Sequence, residues 1–193
     1  MGETTFGREA AFQLLSRYTK SDNLVRHALT VEAVMRHFAG LYPEGDPEKW
    51  GIVGLLHDID YELYPEQHCY KARELMLSDG WPEEIIRAVE SHGYKLVNEV
   101  QPVSTMEKVL YATDELTGLV AATALMRPSR SVLDLEVSSV KKKWKQKGFA
   151  AGVNREVIQE GADMLEMDLD RLIGETIDGM KAAAGEIGLR GEG

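Results

Sequence analysis

A single cysteine, Cys69, stands among 193 residues, so no disulfide can form within the chain. Basic residues are also scarce: 22 Lys and Arg face 32 Asp and Glu, a formal net charge of −10. Duplex nucleic acids and anionic membranes both reward a basic face, through counterion release or surface attraction, so neither is expected as a partner. No apolar run approaches the roughly 20 residues that a bilayer-spanning helix needs. The N-terminus lacks a basic-then-apolar leader, and together with the lone cysteine this reads as a cytoplasmic protein. Repeats and low-complexity tracts are missing too, so the chain is not a repeat array.

What is present is apolar patterning at helical spacing. With 44% hydrophobic residues the chain is long enough to bury a sizeable core as one domain, residues 1–193. Ser21 or Asp22 opens a helix with apolar positions Leu24, Ala28, Val31, Met35 and Phe38. Asp46 caps the next, with Pro47 in the first position, where its missing N–H costs nothing. A short loop, Ile59 to Tyr64, follows. Pro65 is expected to open a helix that carries His68 in its first turn and stops near Gly80. Pro82 opens another, which ends at His92 with Gly93 as a left-handed cap. Ser104 and Glu107 form a capping box for a long helix that ends before Pro128. Ser131 to Val140 reads as loop plus helix, and Asn154 and Asp168 cap two final helices ahead of a frayed GLRGEG end. The expected fold class is all-α.

Chemistry concentrates at the helix ends. His57 and Asp58 stand side by side where the apolar helix Trp50 to Leu56 runs out, and ionisable residues there are costly to bury unless paired or metal-bound. His27 lies upstream, and His68, His92 and Asp114 lie downstream, an order of H…HD…H…H…D. Helices that each deliver one or two donors to the middle of a bundle assemble such a site without any local cluster. A lone histidine is more often a surface or hydrogen-bonded residue, and His37 is read that way. Cys69 adjoins His68, but successive helix residues point about 100° apart, so it is read as a small packed group and not as a ligand.

This ordered set resembles the HD-domain superfamily of metal-dependent phosphohydrolases, an all-helical fold named for its His-Asp doublet. The resemblance runs from about Asp22 to Leu125, and HDIDYELYPEQHCYKARELM, AVESHGY and MEKVLYATDELTG are similar to a bacterial branch of it. It implies an HD-type helical bundle with a metal-site core at about 22–125 and additional C-terminal helices at about 138–188. It further implies metal ligation by His27, His57, Asp58 and Asp114. In members with two metals His68 and His92 hold the second, with Asp58 as the bridge and the catalytic carboxylate. Many relatives continue the doublet as HDIGK, whereas Asp60 and Tyr61 stand here in place of Gly and Lys, so no role of that Lys carries over.

The implied activity is hydrolysis of a phosphoester in a small phosphorylated metabolite or nucleotide by metal-activated water. One or two divalent ions are expected, with Mn, Fe, Co, Ni, Zn and Mg not distinguished by sequence. The same ligands also resemble the diiron oxygenase branch of the superfamily, and a non-enzymatic metal-stabilised signalling or binding module is a third reading. Glu62 and Glu115 stand near ligands in sequence but have no spacing that assigns them a role. The run KKKWKQK reads first as a solvated helix face. Its sharper reading places Lys141, Lys142 and Lys143 near the site mouth as cations for substrate phosphate.

Overall fold

The structure is a computed structural model describing residues 6–191. It is all-α: among these residues nine helices account for the regular structure and no strand goes beyond an isolated bridge. They are α1 (Arg8–Tyr18), α2 (Asp22–Ala39), α3 (Pro47–Leu56), α4 (Tyr70–Ser78), α5 (Glu83–Ser91), α6 (Thr105–Leu125), α7 (Val137–Trp144), α8 (Arg155–Met164) and α9 (Leu169–Ala182).

α3 explains the architecture. Its residues from Trp50 to Leu56 are all buried, as a helix apolar on every side must be. α2 packs along it, α1 and α5 cover other sides, and the long α6 lies across α2. α8 and α9 close over α6, and α9 also packs on α2. One cluster of buried apolar side chains runs through the bundle, from Ala11 and Leu14 to Ile187 and Leu189.

Among the described residues, side-chain caps fix four of the nine helix starts. Asp46 accepts from the Glu48 and Lys49 amides, and Pro47 is the first residue of α3. Ser104 and Glu107 close a reciprocal capping box on α6. Asn154 accepts from the Glu156 and Val157 amides, and Asp168 from that of Arg171.

Three expectations are corrected. The segment from Pro65 to Gly80 is not one helix: a 3-10 turn, Pro65–Gln67, is followed by extended His68, then Cys69 at φ 68°, before α4 begins. His68 therefore sits in a break, not in a first helical turn. The cause is Asp60, which accepts from His68 Nδ1 through one oxygen and from the Ala72 amide through the other, both at 2.8 Å. Gly93 is not a left-handed cap either, since the positive-φ glycines among the described residues are Gly80, Gly188 and Gly191. Its constraint is space: a Cβ there would lie 2.6 Å from Cys69 Sγ and from Val97 Cγ2. The GLRGEG end is anchored as far as Arg190, because Leu189 is buried and its carbonyl accepts from the Val132 amide at 2.8 Å. Glu192 and Gly193 lie outside the described residues.

Gly54 sets the approach of α2 to α3. A Cβ on it would sit 2.8 Å from the Val31 carbonyl oxygen and 2.9 Å from Met35 Cγ. Gly54→Ala is expected to lower stability by about 1–3 kcal/mol, the usual cost of overpacking a filled core. Denaturant unfolding measures it, and an unchanged midpoint would show that the two helices can separate freely.

Candidate metal centre

Five separate elements deliver the six side chains. α2 supplies His27 and the end of α3 supplies His57 and Asp58. The break before α4 supplies His68, the end of α5 His92, and the middle of α6 Asp114. All six converge on one point of the bundle.

Their donor atoms fall into two groups. In the first, His27 Nε2 lies 3.1 Å from His57 Nε2 and 3.0 Å from Asp114 Oδ1, and His57 Nε2 lies 3.3 Å from the same oxygen. Asp58 Oδ2 completes it at 3.4 Å from His57 Nε2 and 3.6 Å from His27 Nε2. In the second, His68 Nε2 lies 3.1 Å from His92 Nε2, and Asp58 Oδ1 lies 3.4 and 3.5 Å from these two nitrogens. Asp58 faces both groups, one oxygen to each. Bonds of about 2.1 Å to a common cation put neighbouring donors about 3.0–3.4 Å apart, so both groups have the spacing of ligands around an ion.

The outer ring nitrogens decide the inner ones. His57 Nδ1 lies 2.7 Å from the Gly54 carbonyl oxygen and His92 Nδ1 2.5 Å from that of Val89. His68 Nδ1 lies 2.8 Å from Asp60 Oδ1. Each contact requires an N–H at Nδ1, so in the neutral ring Nε2 carries a lone pair. At His57, His68 and His92 the centre then presents three nitrogen lone pairs towards one another and towards carboxylate oxygens of Asp58 and Asp114. Such a set repels itself unless protons or cations occupy it, and the donor chemistry fits a divalent metal.

The electrostatics carry the same demand for positive charge. Burial disfavours a charged His57, yet Asp58 and Asp114 outweigh it and push its pKa up to about 10. His68 rises to about 9, burial again being overcome, here chiefly by Asp60. His92 is raised as well, against its burial. Burial pushes the carboxyls of Asp58 and Asp114 up, but neighbouring histidines, His57 foremost, hold both well below the usual range.

Sequence reasoning noted Asp60 only as a departure from HDIGK. It is fully buried and orients His68 while fastening the start of α4. Asp60→Asn is expected to weaken binding at the His68–His92 group about 10- to 100-fold, the range for partners that orient metal-ligating histidines. Equilibrium dialysis against a metal buffer measures this, and unchanged affinity would make Asp60 a cap for α4 alone.

The other sequence candidates take various places. Cys69 lies under the second group with Sγ 3.9 Å from His92 Nε2; its thiol, pushed up by burial, is brought down to about 7 by His92 and His68. The donor atoms of His68, Cys69 and His92 lie close enough together to hold a metal, as do those of His27, His57 and Asp58. Glu62 accepts from the Lys20 and Ser21 amides at the start of α2. Glu115 accepts from the Asn154 amide, and its carboxyl is pushed up by burial. His37 bonds Glu175 away from the centre. Lys141 pairs with Asp170 at 2.7 Å and Lys143 Nζ lies 4.6 Å from the centroid of the Phe149 ring. The structure brings none of Lys141, Lys142 and Lys143 into the lining of the site cavity.

That cavity, about 420 Å³, opens over His27, Asp58, His68, His92 and Asp114. Tyr61, in the position of the HDIGK lysine, stands at its edge with its ring edge-on to His68 at 5.2 Å. A larger hollow of about 810 Å³ lies between α1, α2 and the end of α9, where Arg8 and Arg36 pair with Glu32 and His37 with Glu175. Five of the six candidate ligands line the smaller one.

Residues 24–119, a stretch that holds all six side chains, match the family model of the HD domain, and the chain belongs to the HD-domain superfamily. HD domains bind divalent metals, and most members of the family are metal-dependent hydrolases. No curated protein and no solved structure matches the chain. Among the described residues no helix is long and apolar enough to cross a membrane.

Proposed function

We propose that the protein is a two-metal phosphohydrolase of a small phosphorylated metabolite or nucleotide. His27, His57, Asp58 and Asp114 would hold one divalent cation, and Asp58, His68 and His92 the other. The observation that carries this reading is the facing of Nε2 atoms at 3.1 Å in both groups, each beside an oxygen of Asp58. When bound, the cations supply Lewis acidity and lower the pKa of water from about 15.7 towards about 7.

The chain's own residues do the rest. Asp58 spans the two groups and fixes their spacing, so it is the catalytic carboxylate. Gly54, Val89 and Asp60 hold the imidazoles of His57, His92 and His68 so that Nε2 points inward. Burial of His57 and His92 keeps bulk water off one side, while His27, Asp58 and Asp114 open to the cavity where a phosphoryl group would enter. The balanced reaction joins the water oxygen to phosphorus, breaks the bond from phosphorus to the ester oxygen, and delivers a water proton to the departing alcohol. The unbroken apolar cluster from α1 to Leu189 supports reading the chain as a single HD-type domain, with α7 to α9 as its extension.

Elemental analysis of protein purified without chelator, with a phosphatase screen after metal is restored, tests the proposal. Two equivalents of metal and phosphate release with Mn, Co or Mg are expected. His68→Ala with His92→Ala is expected to lose about one equivalent and most of the activity. Two equivalents of iron with oxygen consumption in place of phosphate release would overturn the hydrolase in favour of the oxygenase. Full metal with no turnover would leave a binding module.

A further inference from the structure

We infer that the substrate is a phosphate monoester with a small, largely apolar organic part, and that the cavity selects against nucleoside di- and triphosphates. This rests on the hydrolase reading above. It follows from what the site cavity has around its six candidate ligands and from what it does not have. Among the described residues that line it, none is Lys or Arg. Its remaining walls are chiefly Leu24, Tyr61, Leu96, Val97 and Val153, with Glu115 as a further acid.

Polyphosphates need cations along their length, from Arg forks or Lys ammonium groups. Lys95, next to the lining residue Leu96, pairs with Glu160 at 2.5 Å and lies over the Tyr94 ring, and Lys71, three residues beyond His68, pairs with Glu74 and lies over the Tyr64 ring. A single phosphoryl group can have its charge met wholly inside the centre. A second or third would extend towards Leu96, Val97 and Glu115, where no cation meets it and the added group is an acid.

An apolar group in the same place gains. Tyr61, Leu96 and Val97 are 46%, 45% and 41% exposed, so the rim offers apolar surface that a phenyl or alkyl group would cover. The volume of about 420 Å³ is at the small end of the range of about 300–1,000 Å³ for ligand pockets, which suits a compact ester.

The test uses the full chain loaded with Mn²⁺ to a measured stoichiometry. Calorimetry with phenylphosphonate and methylphosphonate reads the rim without turnover. Phosphate release from phenyl phosphate, a nucleoside monophosphate and a nucleoside triphosphate reads selectivity. Phenylphosphonate is expected to bind about tenfold more tightly than methylphosphonate. A double variant, Leu96→Ser with Val97→Ser on the exposed rim, should erase that ratio and leave methylphosphonate affinity in place. The kcat/KM for phenyl phosphate should exceed that for the triphosphate by about tenfold or more, and Leu96→Lys should narrow the gap by supplying the missing cation. Equal phosphonate affinities, or a preferred triphosphate, overturn this inference while phosphate release leaves the hydrolase standing. Absence of phosphate release from every ester overturns both.

Discussion

Asp58→Ala is expected to empty the His68–His92 position, to weaken the one that His27, His57 and Asp114 keep, and to end phosphate release. Among the described residues Asp58 is the one carboxylate whose two oxygens face different imidazole pairs, Oδ2 towards His27 and His57 and Oδ1 towards His68 and His92. Removing it takes a negative charge from each group and leaves the second with two neutral nitrogens, too few to retain an ion. The loss of activity should exceed the 10- to 100-fold that follows when a merely orienting partner is removed. Asp58→Asn keeps the shape without the charge and should also lose metal, which separates a ligand from a packing role. Helix content should stay, since α3 is held by Trp50, Ile52, Val53, Leu55 and Leu56. Full metal occupancy with near-normal turnover in Asp58→Ala would refute the two-group centre.

The parts of this molecule that were legible in its sequence are those set by short-range chemistry. Asp46 with Pro47, Ser104 with Glu107, Asn154 and Asp168 each cap amides within three residues, so their helices could be placed from local pattern alone. The six candidate ligands could be picked out because an apolar helix does not end in His-Asp without a partner, and because donors recur near helix ends at wide spacing. The sequence reading assigned no helix ahead of Ser21; α1 is held against α3 by Ala11, Leu14 and Leu15 without a side-chain cap.

What local pattern could not reveal is the result of contacts distant in sequence. The break at His68 and Cys69 exists because Asp60 draws on His68 and Ala72 together, eight and twelve residues away. Gly93 is required by Cys69 and Val97, which reach it only after folding. The roles of Glu62 and Glu115 depend on the amides of Lys20, Ser21 and Asn154, up to 42 residues distant. Lys141 and Lys143 show the same limit, since Asp170 and Phe149 claim them once α7 is packed.

The metal-free and metal-loaded proteins are expected to respond to pH in opposite directions. In the folded metal-free chain the pKa of His57 is raised to about 10 and that of His68 to about 9, against an unfolded value of about 6.5. Between these values the native state binds more protons than the unfolded one, so their stabilisation is complete below about 6.5 and drains away as pH climbs through 9 to 10. Physically, the positive charge between Asp58 and Asp114 is lost, and two carboxylates are left facing one another. A divalent ion replaces that charge but needs neutral imidazole, so metal binding should strengthen over the same interval, as protons cease to compete. Chelated protein should therefore melt lower at pH 9 than at pH 6 by on the order of 5 °C, the shift that about 2 kcal/mol makes in a chain of this size. With Mn²⁺ in excess, the stabilisation by metal should be larger at pH 9 than at pH 6. Chelated protein at least as stable at pH 9 as at pH 6 would mean that the buried imidazoles are neutral throughout, and that the acidic centre does not hold protons in the absence of metal.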